Sequence, residues 1–101
     1  IGGALSWTAM AYFFNGQPDV AVEWARKGMR LRQAPQTWCV TTLTTILSHL
    51  ELQDEAERTC AELLHTEPNI NCRFVRANIP ISHPAKLERY LEGLRKAGLP
   101  E

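Results

Sequence analysis

The chain has 101 residues, with 11 basic side chains against 11 acidic ones and a formal net charge of zero. That balance excludes functions driven by a large single-sign field, among them duplex nucleic-acid binding and adsorption to an anionic membrane. At 45% hydrophobic and 22% charged residues the composition is that of a folded piece, and the length suits one domain with one modest core. Cys39, Cys60 and Cys72 are an odd set without Cys-x-x-Cys spacing, which points away from a disulfide scaffold or zinc ribbon and toward a reducing cytoplasm. No window has the apolar length of a membrane span, and no basic leader precedes an apolar core. The sequence lacks an initiator methionine, and the expectation is a segment from within a longer protein.

In chain order, apolar residues recur at three and four, the helical period, over roughly Ala4–Phe14. The run Asn15-Gly16-Gln17-Pro18-Asp19 supplies breaker chemistry, and a second helix is predicted over roughly Pro18–Arg32. Pro18 suits its first turn and Asp19 its dipole. A third helix is predicted over roughly Gln36–Leu50 and a fourth over roughly Asp54–Thr66, with Pro35 and Pro68 ending the second and fourth. Ile70, Phe74, Val75 and Ala77 predict a short helix within Asn69–Asn78, broken by Pro80. His83-Pro84 reads as a helix start, because the residue before proline is pushed out of the helical region while proline fits the first turn. Leu87, Tyr90, Leu91 and Leu94 then form an apolar stripe that Gly98 and Pro100 stop, while Lys86, Glu88, Arg89, Glu92, Arg95 and Lys96 form a water-facing side. Continuous period-two alternation appears nowhere, so the fold class is all-α.

The first four helices read as two copies of one unit. Moving 35 residues on from Ala9, Tyr12, Ala21, Ala25 and Gly28 gives Thr44, Leu47, Ala56, Cys60 and Leu63, every one small or apolar. Leu5 over Val40, Asp19 over Asp54 and Met29 over Leu64 agree with the same offset. The chain is accordingly one domain, with repeats over about 3–35 and 36–68 and a shortened capping hairpin over about 69–99. Ala9, Ala21, Thr44 and Ala56 sit where only small side chains let paired helices approach, and Tyr12, Trp24, Leu47 and Leu63 fill the space between successive hairpins. A lone pair cannot bury both faces, so stacking into an α-solenoid is expected.

At these residues the sequence resembles the tetratricopeptide repeat family. The small-x-x-aromatic step at Ala9 and Tyr12, Ala21 nine residues later, and Ala25 and Gly28 match that family's ladder, and Thr44, Leu47, Ala56, Cys60, Leu63 and Pro68 follow it in the second unit. Leu5 and Val40 stand where the family favours tryptophan, and the period exceeds the family's usual value of about 34 by one. The resemblance spans roughly residues 3–68, and it implies a concave face that binds protein or peptide segments. The ending Leu-Glu-Gly-Leu-Arg-Lys-Ala-Gly-Leu-Pro-Glu, residues 91–101, resembles the tail of bacterial multidomain regulators. In these a class III adenylate or guanylate cyclase domain, or a winged-helix DNA-binding domain, is followed by tetratricopeptide repeats. That likeness implies a C-terminal repeat segment without nucleotide-binding or catalytic residues.

The residues themselves offer little chemistry. Gly2-Gly3 has no following Gly-Lys-Ser/Thr, so no phosphate loop exists. Cys60 and His65 lie five apart, about 140° round a helix, and cannot meet. His49, His65 and His83 fall near helix ends, where capping or solvation suits them. Arg26, Lys27, Arg30 and Arg32 complement a helix C-terminus. Neither a catalytic residue, a cofactor nor a metal is expected.

By phase, and by the family's habit of lining the concave face with the first helix of each hairpin, Ser6, Met10, Phe13 and Phe14 belong to a partner face together with Trp38, Thr41, Thr45 and His49. The two-carboxylate clamp of some family members needs Lys, Arg and Asn at these points, and none is present. An apolar, hydroxyl-rich groove holding an extended or helical segment by aromatic anchors is expected instead. Thr45→Glu should then spare helicity and alter partner capture. A competing expectation has Trp7, Phe13 and Phe14 covered by a preceding repeat, since six of the eight aromatic residues lie within residues 7–38; the isolated piece would then expose an apolar edge and self-associate.

These features point to a protein-interaction or regulatory segment of a larger cytoplasmic bacterial protein, without catalysis of its own. Its partner would be a protein, a peptide or another domain of the same chain, with no nucleic acid and no membrane. The alternative is a structural end piece packed against an attached cyclase or DNA-binding domain. A small helical enzyme fragment is the remaining rival, and it would demand a cleft where a His or Cys meets a carboxylate.

Overall fold

Six helices form among residues 2–31 and 36–101, the part of the chain that the computed structural model describes: α1 Gly2–Phe14, α2 Pro18–Leu31, α3 Gln36–His49, α4 Gln53–Thr66, α5 Cys72–Asn78 and α6 Pro84–Ala97. No strand occurs among the described residues. The boundaries follow the local chemistry. Asn71 is extended, and its Oδ1 accepts the Phe74 N–H at 2.8 Å, so α5 begins at Cys72 and not at Asn69. Pro84 opens α6 behind an extended His83. Gly98 closes it in the left-handed region at φ 110°, the Leu99 N–H reaching back to the Leu94 carbonyl at 3.0 Å. Arg32, Pro35 and the predicted end of the second helix lie outside the described residues.

The 35-residue offset recurs in the structure. Helices α2 and α4 begin and end at positions 35 apart. The turns between α1 and α2 and between α3 and α4 are built alike: the Gln17 N–H bonds the Tyr12 carbonyl at 2.9 Å, and the Leu52 N–H bonds the Leu47 carbonyl at 3.0 Å. Ala21 and Ala56 are both fully buried, as are Ala9 and Thr44. Small residues at the contact let α1 approach α2, and α3 approach α4, closely. Tyr12 departs from its counterpart Leu47, being half-buried where Leu47 is sealed.

Helix α3 is the hub, packing on α1, α2, α4 and α6. Every residue from Cys39 to Ser48 is buried. The charged residues sit on the surrounding helices, where Arg26 of α2 reaches Glu55 of α4 at 2.9 Å. Half-exposed, that pair contributes at most about 1 kcal/mol. Burial of side chains such as Ile46, Leu47, Leu63, Leu91 and Leu94, each worth roughly 1.5–3 kcal/mol, is the main stabilising contribution.

The C-terminal hairpin packs back against the second unit. Helix α6 lies chiefly against α3 while also touching α4 and α5, and the molecule measures 29 × 28 × 25 Å. The chain end completes the closure: the Pro100 and Glu101 carbonyls accept the Cys72 and Arg73 N–H groups at 2.8 and 3.2 Å, satisfying orphan donors at the start of α5. Glu88 joins Arg76, at 2.6 Å, to Arg95, which in turn pairs with Glu101. Hydrogen bonding to Arg76 holds the Glu88 carboxyl below its ordinary pKa, and the Glu101 bond raises that of Arg95. Among the described residues no helix is long and apolar enough to cross a membrane.

Candidate functional site

The eight residues predicted to face a partner do not share one open groove, and only Met10 and Phe14 among them line the cleft described below. Ser6, Met10, Phe13, Thr41 and Thr45 are buried, while Phe14, Trp38 and His49 are half-buried. Ser6 turns to α3, its hydroxyl 3.1 Å from the Cys39 sulfur. In the α3 part of the expected groove Thr41, Thr45 and His49 meet α6, while the Trp38 ring stacks 6.5 Å from that of Phe74 on α5. Phe13 is covered within the chain as well, its ring 4.9 Å from that of His49 and 5.1 Å from the Arg89 guanidinium.

Hydroxyl chemistry makes the α3–α6 seam. The Tyr90 hydroxyl lies 2.8 Å from Thr41 Oγ1 and 2.9 Å from Thr42 Oγ1, so its one proton and its lone pairs satisfy both threonines. Thr45 donates to the Tyr90 carbonyl at 2.7 Å. His49 Nε2 sits 2.9 Å from the Arg89 carbonyl, and Gln53 donates to the Lys96 carbonyl at 2.6 Å. Gly93 permits this approach: a Cβ there would come within 2.8 Å of the Thr45 Cα and closer still to its hydroxyl. Burial pushes the Tyr90 phenol well above its ordinary pKa, with the Thr41 and Thr42 hydrogen bonds pulling the other way.

The three cysteines are buried free thiols. Burial raises the pKa of Cys60 and of Cys72, which disfavours the thiolate that nucleophilic chemistry would need. His65 and His83 are exposed near helix ends. Among the described residues no group of three or more His, Cys, Asp or Glu stands where it could hold a metal ion.

The first repeat keeps what the second has closed. Trp7, Met10 and Phe14 of α1 stand 35 residues before Thr42, Thr45 and His49, the residues that meet α6. Here the chain crosses as the loop before α6 and leaves a cleft of about 290 Å³, lined by α1 on one side and Pro80–His83 with Lys86 on the other. Trp7 is 42% exposed, while Met10 is almost sealed. The Lys86 ammonium sits 5.8 Å from the centre of the Phe14 ring. The partner face predicted from the sequence does not include Trp7 or Lys86, and Lys86 belongs to the predicted water-facing side of its helix. The 35-residue offset applied to Thr42 identifies Trp7; no local pattern identifies Lys86, because its position over Phe14 depends on the fold-back of α6.

An all-helical domain with an internally repeated hairpin and a partly filled groove is the class of protein this geometry defines. Comparison of the chain with protein-family models, with curated proteins and with solved structures finds no match.

Proposed function

We propose that the chain is a tetratricopeptide-like interaction or regulatory segment of a larger cytoplasmic protein, two stacked hairpins closed by a C-terminal hairpin, and that it recruits a protein or peptide without catalysing a reaction. The observation that carries this reading is the aromatic shelf of α1. Trp7 is 42% exposed and faces a cleft, at the positions that in the second repeat hold α6. A surface that in one unit already receives a helix of the same chain is chemically suited, in the other, to receive a segment from elsewhere. The alternative occupant is another domain of the same polypeptide.

Site-directed photocrosslinking in the producing cell tests this. A benzophenone amino acid at position 7 should give discrete adducts, whereas one at exposed Glu62 on α4 should give none. Adducts to a second polypeptide support recruitment; adducts only within the same polypeptide favour the structural end piece. Equal labelling at both positions, or none at position 7, refutes the proposal.

A further inference from the structure

We propose that the cleft between α1 and the Pro80–Lys86 segment seats one large apolar side chain of an acidic peptide segment in a partner protein, a carboxylate of that segment pairing with Lys86; this rests on the interaction reading above. The apolar half of the recognition is the Trp7, Met10, Ala11 and Phe14 wall. Tryptophan and phenylalanine at a concave surface supply rigid contact area at low entropic cost, the usual composition of an energetic hot spot. The charged half is one-sided. No acidic side chain lines the cleft, and Lys86 makes no ion pair among the described residues. Arg89, one turn along α6, also has no ion pair among the described residues, and its guanidinium stacks on Phe13.

Glu88 of the same helix is committed elsewhere, to Arg76 and Arg95. The chain is neutral overall, so this cationic rim is a local arrangement that favours a carboxylate and disfavours a basic segment. The second repeat supplies the template for the backbone mode. There α6 enters the same register of the groove with its apolar stripe inward and its charges outward.

The test uses the full chain, immobilised and panned against a random heptapeptide display library, with the enriched peptides synthesised and their affinities measured by fluorescence anisotropy. Enriched sequences should carry an aromatic or large aliphatic residue flanked by Asp or Glu. Trp7→Ala should weaken them about tenfold and Lys86→Glu roughly three- to fivefold. Repeating the selection on Lys86→Glu should turn the flanking residues to Lys or Arg. Both positions are exposed, circular dichroism melts report whether each variant keeps its fold, and Lys86→Gln gives a milder second reading. Enriched peptides that bind all variants equally overturn the cleft while leaving the interaction reading intact. Enrichment of basic or uncharged sequences overturns the charge assignment, and no enrichment overturns both. Self-association abolished by Trp7→Ala in sedimentation would put a second copy in the cleft, and this too overturns the acidic partner.

Discussion

Gly16 and Glu51, 35 residues apart, hold the same left-handed place behind α1 and α3, at φ 78° and 62°. Their N–H groups make matching bonds, to the Phe13 carbonyl at 3.2 Å and to the Ser48 carbonyl at 3.1 Å. The geometry is the one helices commonly end with, and glycine is its usual occupant because a Cβ is strained there. The second copy of the turn therefore carries a strain that the first lacks.

Glu51→Gly should raise stability by about 0.5–1 kcal/mol, the relief of left-handed strain being partly offset by the freedom glycine gains in the unfolded chain. Glu51 is exposed and makes no ion pair among the described residues, so little else is lost. Urea denaturation should show a higher midpoint with an unchanged slope. Glu51→Ala is the control: an equal gain there would trace the effect to the carboxylate and not to the backbone.

Tyr90→Phe should cost about 1–3 kcal/mol, because Thr41 and Thr42 would lose their shared phenolic partner inside a sealed seam. It should also alter alkaline stability. The Tyr90 pKa is raised in the folded state, so above about pH 10 the unfolded chain releases a proton that the folded chain retains. Stability that is complete below that pH is then lost as pH rises. Denaturation series from pH 8 to 11.5 should give a shallower alkaline decline in Tyr90→Phe than in the parent; parallel declines would mean the phenol ionises without unfolding.

Gly93→Ala should destabilise by about 2–3 kcal/mol, since the added methyl meets Thr45 backbone and hydroxyl, not a flexible chain end. Adding Thr45→Ala removes the nearer obstacle and should recover part of the loss, a coupling that thermal melts of the four proteins in the cycle would measure. Additive losses would show that the two residues do not meet. The same contact reverses the sequence-based expectation for Thr45→Glu: a carboxylate at this fully buried position would be desolvated without a cation, and the chain should fail to fold.

The helices and their order were legible because each carries its own start or stop, Pro18, Pro84 and Gly98 among them, and because Ala21 and Ala56 repeat at a fixed interval. The occupancy of the groove was not. The open face expected for Thr41, Thr45 and His49 follows from the phase of α3 and from the resemblance's rule that first helices line the concave side, and neither says what covers those residues. Six of the ten residues from Thr41 to Leu50 are polar and the other four are leucine or isoleucine, a mixture that suits an interior seam as well as a wet groove. What decides between them is Tyr90, 45 residues beyond Thr45, whose phenol and carbonyl take up the hydroxyls that would otherwise need water. Sequence-distant hydrogen bonding of this kind leaves no local periodicity to read.

Ser48 closes that ledger of hydroxyls with an exception. Thr41 and Thr42 meet Tyr90, Thr44 donates to the Val40 carbonyl at 2.7 Å, and Thr45 donates to the Tyr90 carbonyl. The Ser48 hydroxyl, fully buried, is without a hydrogen-bond partner among the described residues. A buried unpaired hydroxyl costs about 1–3 kcal/mol, and alanine is also the better helix former by a few tenths of a kcal/mol. Ser48→Ala should therefore stabilise the protein, by about 1 kcal/mol, whereas Thr44→Ala in the same helix should destabilise it by removing both a bonded hydroxyl and a packed methyl. Urea midpoints of the two variants should move in opposite directions. If Ser48→Ala falls below the parent, its oxygen is bonded in solution, and the seam between α3 and its neighbours is wetter than its burial implies.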